Sequence, residues 1–258
     1  MRFLNFKNRK EPAKNAEKLY ASSRSFQAVG TKCAEGRYVA AEELYDFIAD
    51  FFSKSLETYG FKYLKSKKAF KRTTQTGCDE ITMLFFDYVH YHVDFLFQKR
   101  IDKVQKIITA VEYENGFNSC SNYKEHHTIW VCYRNIVGGE EIEIVSYSVL
   151  EKHLPKVLAL IENEIIPYFD KLNSIDFLHQ TLNYPEKDPK NPFSYFALKG
   201  TFDCAIVTGL IIAKLLNEPN YENLLNTHIK NNPQNIILKE KLTKLNEYLK
   251  QKNIRIDL

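Results

Sequence analysis

The sequence predicts an α+β protein, with an antiparallel sheet of four to six strands built from hairpins, covered by helices and followed by a C-terminal helical section. Aromatic residues are abundant in the 258-residue chain, which holds 18 Phe and 16 Tyr, and such side chains favour strands and large core contacts. The middle of the chain alternates short apolar segments with turn residues, as hairpins do. The segments on either side of it repeat apolar residues at helical spacing.

The same patterns divide the chain into three parts. Residues 1–35 show no sustained period, since several serines and Gly30 interrupt it, and we expect a partly ordered N-terminal arm. Residues 36–185 form the predicted α+β domain. The stretch 184–192 contains three prolines and is the best candidate for a linker. Residues 193–258 are predicted to form a helical section that packs on the domain.

The first predicted element is an amphipathic helix over residues 40–59. Its apolar residues recur at steps of three and four with charged residues between them, and Gly60 follows at the expected stop. The apolar positions are Leu44, Ile48, Phe51, Phe52 and Leu56. This spacing predicts a helix with one face in the core.

Strands are predicted to follow this helix. The segments 61–64 and 69–75 have the length and composition of short strands. Residues 81–97 are dense in apolar and aromatic side chains without a helical period, and the run is long for one strand, since most have about 5–6 residues. We therefore expect a break near Asp87–His90 that divides it into two strands, with one long bent strand as the alternative.

A second hairpin is predicted from Thr128–Ile136 and Glu141–Tyr147. Apolar and polar residues alternate in both segments, as they do in half-buried strands. The glycines at positions 138 and 139 lie between them and supply the positive φ that tight hairpin turns require. We expect the two segments to pair with each other.

Helical periodicity returns at 101–112 and dominates the chain after Ser148. Pro155 would disrupt a helix begun at Ser148, so the main helix is predicted over 154–166, ending before Pro167. The remaining predicted helices are 174–182, capped by Ser174, and 194–217, 221–231 and 233–252.

Composition restricts the function classes. The net charge of +4 and the pI of 8.6 are only mildly basic, which disfavours nucleic acid as a partner. Five cysteines are scattered without the short spacing of zinc or redox motifs, so we expect reduced thiols and a cytoplasmic protein. The most apolar run, Ala205–Leu216, is shorter than the roughly 20 residues of a membrane span, and the basic first residues precede no apolar stretch. We expect neither a membrane partner nor a signal peptide.

No common catalytic or cofactor signature is present. The chain contains no Gly-rich phosphate loop, no dinucleotide fingerprint, no His-Glu-x-x-His and no Gly-x-Ser-x-Gly. No cofactor is therefore predicted. These absences favour a non-catalytic protein and leave an unfamiliar enzyme as the alternative.

The pattern His90-x-His92-x-Asp94 is the strongest local signal for chemistry. Alternate residues of a strand share one face, so two imidazoles and a carboxylate could converge on a metal ion. The spacing is similar to part of the metallo-β-lactamase motif, but Phe95 stands where that motif has a further His. A polar sheet face explains the same alternation, and both interpretations stay open. In His126–His127 the neighbouring side chains point to opposite faces and chelate poorly together.

A basic run marks the first predicted hairpin. It contains no acidic residue and is interleaved with aromatic side chains, a composition suited to an acidic protein partner or to single-stranded nucleic acid. Lysines on an edge strand, which discourage aggregation, explain it equally well. The candidate partner-binding residues are Lys62, Lys65, Lys67, Lys68, Lys71 and Arg72.

The order of elements resembles a bacterial family known as domain of unknown function 4304, over about residues 40–183. The matching pieces are a helix running into Tyr59-Gly60-Phe61-Lys62, then Ala69-Phe70-Lys71-Arg72 before paired strands, then Ile165–Leu172 followed by Ser174–Leu178. The resemblance implies a bacterial cytoplasmic α+β domain without an established activity. Related small α+β domains occur among immunity proteins that neutralise toxins. No functional residues carry over.

Two hypotheses follow from the sequence. The first is a non-catalytic cytoplasmic interaction protein, immunity-like in kind, that binds a protein partner through the basic hairpin or the aromatic sheet face. The alternative is an enzyme with an unrecognised, metal-dependent site around His90, His92 and Asp94.

Overall fold

The computed structural model describes residues 41–87, 90–114, 116, 122–188, 190–194 and 203–251. The predicted arm 1–35 and residues 195–202 of the predicted helix 194–217 lie outside these residues. The helices are α1 Ala41–Thr58, α2 Asp102–Glu114, α3 Tyr133–Val137, α4 Tyr147–Leu160, α5 Ile166–Lys171, α6 Ile175–Asn183, α7 Asp203–Leu215, α8 Tyr221–Asn231 and α9 Ile236–Gln251. The strands are β1 Lys62–Leu64, β2 Ala69–Thr73, β3 Gly77–Asp87, β4 Tyr91–Ile101, β5 Ile129–Cys132 and β6 Ile142–Ile144.

The six strands form one antiparallel sheet, which confirms the predicted fold class. The order is β1-β2-β3-β4-β5, and β6 pairs with the other end of β4. The long β3/β4 hairpin is the centre of the sheet, with paired residues from Gly77 opposite Ile101 to Asp87 opposite Tyr91. The predicted break of the 81–97 run near Asp87 is therefore confirmed.

The predicted pairing of Thr128–Ile136 with Glu141–Tyr147 is wrong. β5 and β6 both pair with β4, at Leu96–Lys99 and at Tyr91–Val93 respectively. Between them the chain forms the short helix α3, which Gly138 ends in the left-handed conformation at φ 66°. The two glycines thus follow a helix and do not close a hairpin.

Helix α4 begins earlier than predicted, and the helical path continues past Pro167. Ser146 caps α4 by accepting a hydrogen bond from the Val149 N–H at 3.3 Å. Pro155 lies on the exposed side of the helix, so water can bind the backbone carbonyl that lacks a donor. A π-helical turn at Ile161–Ile165 joins α4 to α5, where Pro167 occupies the first turn and needs no N–H.

One face of the sheet forms the core with α1 and the α4–α5 path. Phe52 of α1 packs edge-on against Phe95 of β4 and Phe70 of β2, which confirms the predicted amphipathic helix 40–59. The opposite face carries alternate, mostly polar residues. One cross-strand row on it consists of Lys62, Lys71, Glu80, Gln98 and Trp130. We call this side the outer face.

The helices α7 to α9 join the same hydrophobic cluster as the sheet. α7 packs against α6 and α2, and α9 packs against α2. At the α6–α7 crossing, the Asn183 side-chain amide donates to the Gly209 carbonyl at 2.9 Å. Within the described part of the chain, no helix is both long and apolar enough to cross a membrane.

Gly77 provides a test of how tightly β3 approaches the end of β4. A Cβ at this position would lie 2.0 Å from the Arg100 carbonyl oxygen, which belongs to the backbone and cannot turn away. We expect Gly77→Ala to lower the free energy of unfolding by about 3 kcal/mol, the upper part of the usual range for overpacking. Urea unfolding measures this loss.

Gly139→Ala is the matched control, because its Cβ would meet only a Val137 methyl group at 3.6 Å. We expect this variant to stay within about 0.5 kcal/mol of the wild type. Equal stability losses in the two variants would contradict the close approach at Gly77.

Candidate functional site

The structure gives His90, His92 and Asp94 separate surroundings. The Nδ1 atom of His90, just before β4, lies 2.5 Å from Glu143 Oε1 on β6. His92 and Asp94 share the outer face of β4, where Asp94 is fully buried. In the described part of the chain, no three His, Cys, Asp or Glu side chains are grouped so that they could hold a metal ion.

Asp94 acts as a helix cap supplied from a neighbouring strand. Its Oδ1 accepts hydrogen bonds from the backbone N–H groups of Phe95 at 2.9 Å and Arg134 at 3.2 Å. Arg134 lies in the first turn of α3, whose own N-cap residue, Cys132, makes no side-chain capping bond. The Asp94 carboxylate therefore provides the acceptor that the start of α3 lacks.

An ion pair strengthens this arrangement. The Arg134 Nε lies 3.3 Å from Asp94 Oδ2, and its Nη1 donates to Glu141, beyond α3. Burial raises the pKa of Asp94, although the two N–H donors and Arg134 oppose this. The contacts explain why β5 does not continue into the predicted hairpin: Asp94 and Arg134 stabilise a helical turn there.

The two buried cysteines of the outer face are poor nucleophiles. Burial, together with the Asp94 carboxylate, raises the pKa of Cys132 to about 12. Burial also raises the pKa of Cys78. Because the thiolate is the reactive form of cysteine, neither thiol is prepared for covalent catalysis at neutral pH.

Most cations of the basic run in the first hairpin have a partner within the chain. Lys65 lies 2.8 Å from Asp46 of α1, and the Lys68 ammonium group lies 4.6 Å from the centre of the Tyr45 ring. Lys71 Nζ lies 3.9 Å from Glu80 Oε2. The remaining cation of β2, Arg72, points into the core face and binds the carboxylates of Asp79 and Asp170. Lys62 and Lys67 remain exposed at the edge of the sheet.

The sequence did not predict a buried charge network on the core face. Asp79 accepts hydrogen bonds from Lys99 Nζ and Arg72 Nε, both at 2.7 Å, and neither Asp79 nor Lys99 has exposed surface. The three residues are cross-strand neighbours on β2, β3 and β4. A detectable signal was present, since Lys99 continues the alternation Val93, Phe95, Phe97 that faces the core.

This network joins the sheet to the α5 helix. Arg72 Nη2 donates to Asp170 of α5 at 2.5 Å, and the Lys99 ammonium group lies 6.0 Å from the centre of the Phe169 ring. Burial lowers the pKa of Lys99, and Asp79 opposes this effect. The pair is sealed from solvent and connects the strands to the helix.

A second polar cluster lies on the outer face. Gln98 Nε2 lies 2.9 Å from His127 Nδ1, and His127 Nε2 lies 3.8 Å from Glu80 Oε2. The Thr82 hydroxyl lies 2.9 Å from Gln98 Oε1 and 3.2 Å from Glu80 Oε1. Burial acts to raise the pKa of Glu80, but His127, Lys71 and Thr82 outweigh it, so the pKa lies below its usual range. His127 thus faces the sheet and does not join His90 or His92.

The buried pair can be tested by removing one charge at a time. We expect Lys99→Met to lower the free energy of unfolding by about 3–5 kcal/mol, because it leaves Asp79 beside Arg72 alone in the core. Asp79→Asn should cost a similar amount by leaving Lys99 without its counter-ion. Chemical unfolding measures both losses.

The double variant Asp79→Asn/Lys99→Met is the informative comparison. Because it removes both members of the pair, we expect its loss to be smaller than the sum of the single losses by more than about 1 kcal/mol. Strictly additive losses would show that the two side chains do not depend on each other.

The capping role of Asp94 predicts different effects for two substitutions. Asp94→Asn retains an oxygen that can accept from the Arg134 N–H, whereas Asp94→Ala removes it, so the Ala variant should be less stable by a further 1–2 kcal/mol, roughly the value of a cap. Urea unfolding compares the two. Equal stability of the variants, together with loss of bound zinc, iron or manganese from the protein in Asp94→Asn, would contradict the cap and favour a metal site.

Comparison with known proteins gives no further guide to this site: no family model, no curated protein and no solved structure matches the chain. The resemblance over residues 40–183 to the domain of unknown function 4304 therefore stays a prediction from the sequence.

Proposed function

We propose that this chain is a non-catalytic cytoplasmic protein that binds an acidic segment of a partner protein at its hairpin edge, defined as β1 and the following turn, residues 62–68. The observation that carries the proposal is the exposure of Lys62 and Lys67. No acidic side chain of the described residues lies within ion-pair distance of either one. Each of the other four cations of the run has a partner within the chain, and the Lys65–Asp46 pair among them lies on the surface.

The position of β1 supports this proposal. Among the described strands, β1 pairs only with β2, so one side of its backbone faces no other strand of the sheet. An extended segment of another protein can add to such an edge through main-chain hydrogen bonds. Lysines at an edge disfavour pairing with a second copy of the same edge, because like charges would meet.

The charge of the edge favours an acidic partner. Two lysines without internal counter-ions attract carboxylates and raise the rate of association at low ionic strength. Tyr59, at the end of α1 and next to β1 in the chain, is 39% exposed. A tyrosine beside a charged edge is a common anchor in protein interfaces. An immunity protein that neutralises a toxin by stoichiometric binding is one class that this proposal includes.

The contacts of the described residues support the alternative, an enzyme site at His90, His92 and Asp94, less than they support the interaction proposal. A metal ion at Asp94 would displace the N–H groups of Phe95 and Arg134 from Oδ1, or would compete at Oδ2 with the Arg134 guanidinium, whose Nε lies 3.3 Å away. The interaction proposal requires no such rearrangement.

The proposal predicts a charge-dependent interaction. The full chain, immobilised and exposed to the cytoplasm of its own source, should retain one protein in stoichiometric amount, and Lys62→Glu/Lys67→Glu should retain at least tenfold less because it reverses the charge of the edge. Binding should also weaken as salt is raised. Quantitative mass spectrometry of the retained protein measures both effects.

Lys230→Glu/Lys239→Glu is the matched control, since it makes the same change of charge at exposed positions on α8 and α9. We expect it to retain the partner as the wild type does. Equal retention by the hairpin and control variants would refute the hairpin edge, and failure of the wild type to retain any stoichiometric protein would refute the interaction itself.

A further inference from the structure

The outer-face cluster of His127, Gln98, Thr82 and Glu80 has a hydrogen-bond pattern that fixes one protonation state. An amide nitrogen can donate but cannot accept. Because Gln98 Nε2 lies 2.9 Å from His127 Nδ1, this ring nitrogen must accept. With the amide in this orientation, the single hydrogen of the neutral imidazole lies on Nε2, which is buried and lies 3.8 Å from Glu80 Oε2, beyond hydrogen-bond distance.

The Thr82 hydroxyl has two acceptors and only one hydrogen. It lies 2.9 Å from Gln98 Oε1 and 3.2 Å from Glu80 Oε1. While Gln98 presents its nitrogen to His127, its oxygen faces Thr82 and takes this hydrogen. Glu80 is the second acceptor within reach.

A second proton on His127 changes which groups donate and which accept in these hydrogen bonds. The new Nδ1–H would face the N–H₂ group of Gln98, donor against donor. Rotation of the amide by about 180° places Oε1 at Nδ1–H and N–H₂ at the Thr82 oxygen, which can accept. The Thr82 hydrogen is then released from Gln98 and turns to Glu80. One proton enters from solvent and no covalent bond between heavy atoms changes.

We propose that His127, Gln98, Thr82 and Glu80 form a proton-responsive hydrogen-bond relay across β3 and β4, with one arrangement for neutral and one for protonated His127. In each arrangement His127 Nδ1 and the Gln98 amide present a donor to an acceptor. In the other protonation state the same arrangement would bring two donors or two acceptors together, so the cluster is a two-state element. The inference goes beyond the proposed function and does not depend on it.

Charged groups of both signs surround the imidazole. Glu80 of β3 is the nearest, and Lys71 of β2 lies 3.9 Å from the same Oε2 atom. Arg100 of β4 is directed to Asp102 at 2.7 Å and to the Lys124 carbonyl at 2.7 Å. On its own segment His127 follows Lys124, Glu125 and His126. Protonation therefore adds a positive charge next to Lys71, the cross-strand neighbour of Lys62.

The same chain contains a histidine that lacks the relay. His179 also has a carboxylate, Glu218 Oε2 at 3.3 Å, and an amide, Asn183 Nδ2 at 2.8 Å. The Asn183 amide additionally donates to the Gly209 carbonyl at 2.9 Å. Rotation would place its oxygen against that carbonyl, so this amide is held in one orientation.

Nitrogen-15 NMR of the full chain tests the relay. At pH 8 the His127 Nδ1 should give the signal of an acceptor nitrogen without hydrogen, and between pH 8 and pH 5 the side-chain amide signals of Gln98 should shift along the same titration curve as His127. The Asn183 amide signals should not follow the titration of His179. A Gln98 amide that stays constant while His127 titrates would overturn the relay, as would an Nδ1 that already carries its hydrogen at pH 8.

Two variants test the His127–Gln98 and Gln98–Thr82 contacts of the relay separately. Gln98→Glu offers only acceptor oxygens to Nδ1, so His127 should keep its second proton to higher pH than in the wild type. Thr82→Val removes the acceptor that the turned amide needs, so His127 and Gln98 should titrate together at lower pH. Gln98→Glu also adds a negative charge that by itself favours the protonated imidazole, so Thr82→Val is the deciding variant. Unchanged titration of His127 in Thr82→Val, folded as judged by its amide spectrum, overturns the relay.

Discussion

The Asp79 carboxylate binds cations from the strands on both sides, Lys99 on β4 and Arg72 on β2, deep within the core face. A slip of one residue in either strand pair would move one partner to the opposite face of the sheet. The ion pairs therefore fix the register of the three central strands. Through Arg72 and Asp170 they also fix α5 against the sheet. The apolar core around them is assembled on this register.

Several charged residues of the described part of the chain position secondary structure. Asp94 on β4 caps the start of α3. Arg134 pairs with Asp94 and also with Glu141, in the segment that leads to β6. Four cations of the basic hairpin are occupied in the same way. We propose that the exposed lysines of the hairpin edge bind a partner and that the histidine cluster of the outer face responds to pH.

Local sequence patterns predicted the structure correctly where residues close in sequence decided it. The three- and four-residue spacing in 40–59 predicted α1, and the length of the 81–97 run predicted the β3/β4 turn. Prediction failed where a distant group competed with local preference. The alternation in Thr128–Ile136 is typical of a strand, but Asp94 stabilises a helical turn within it. Pro155 is tolerated because the side of α4 that it occupies is exposed.

By itself, the sequence determined the α+β class, the central hairpin and the helices on either side, because hydrophobic periodicity and turn residues are local properties. Only the tertiary structure decided which partners the polar residues contact. Asp79 and Lys99 are distant in sequence and meet because β3 and β4 pair in one register. His90, His92 and Asp94 share a short motif, yet their contacts come from β6 and α3. The role of a charged side chain depends on partners that only folding brings within hydrogen-bond distance.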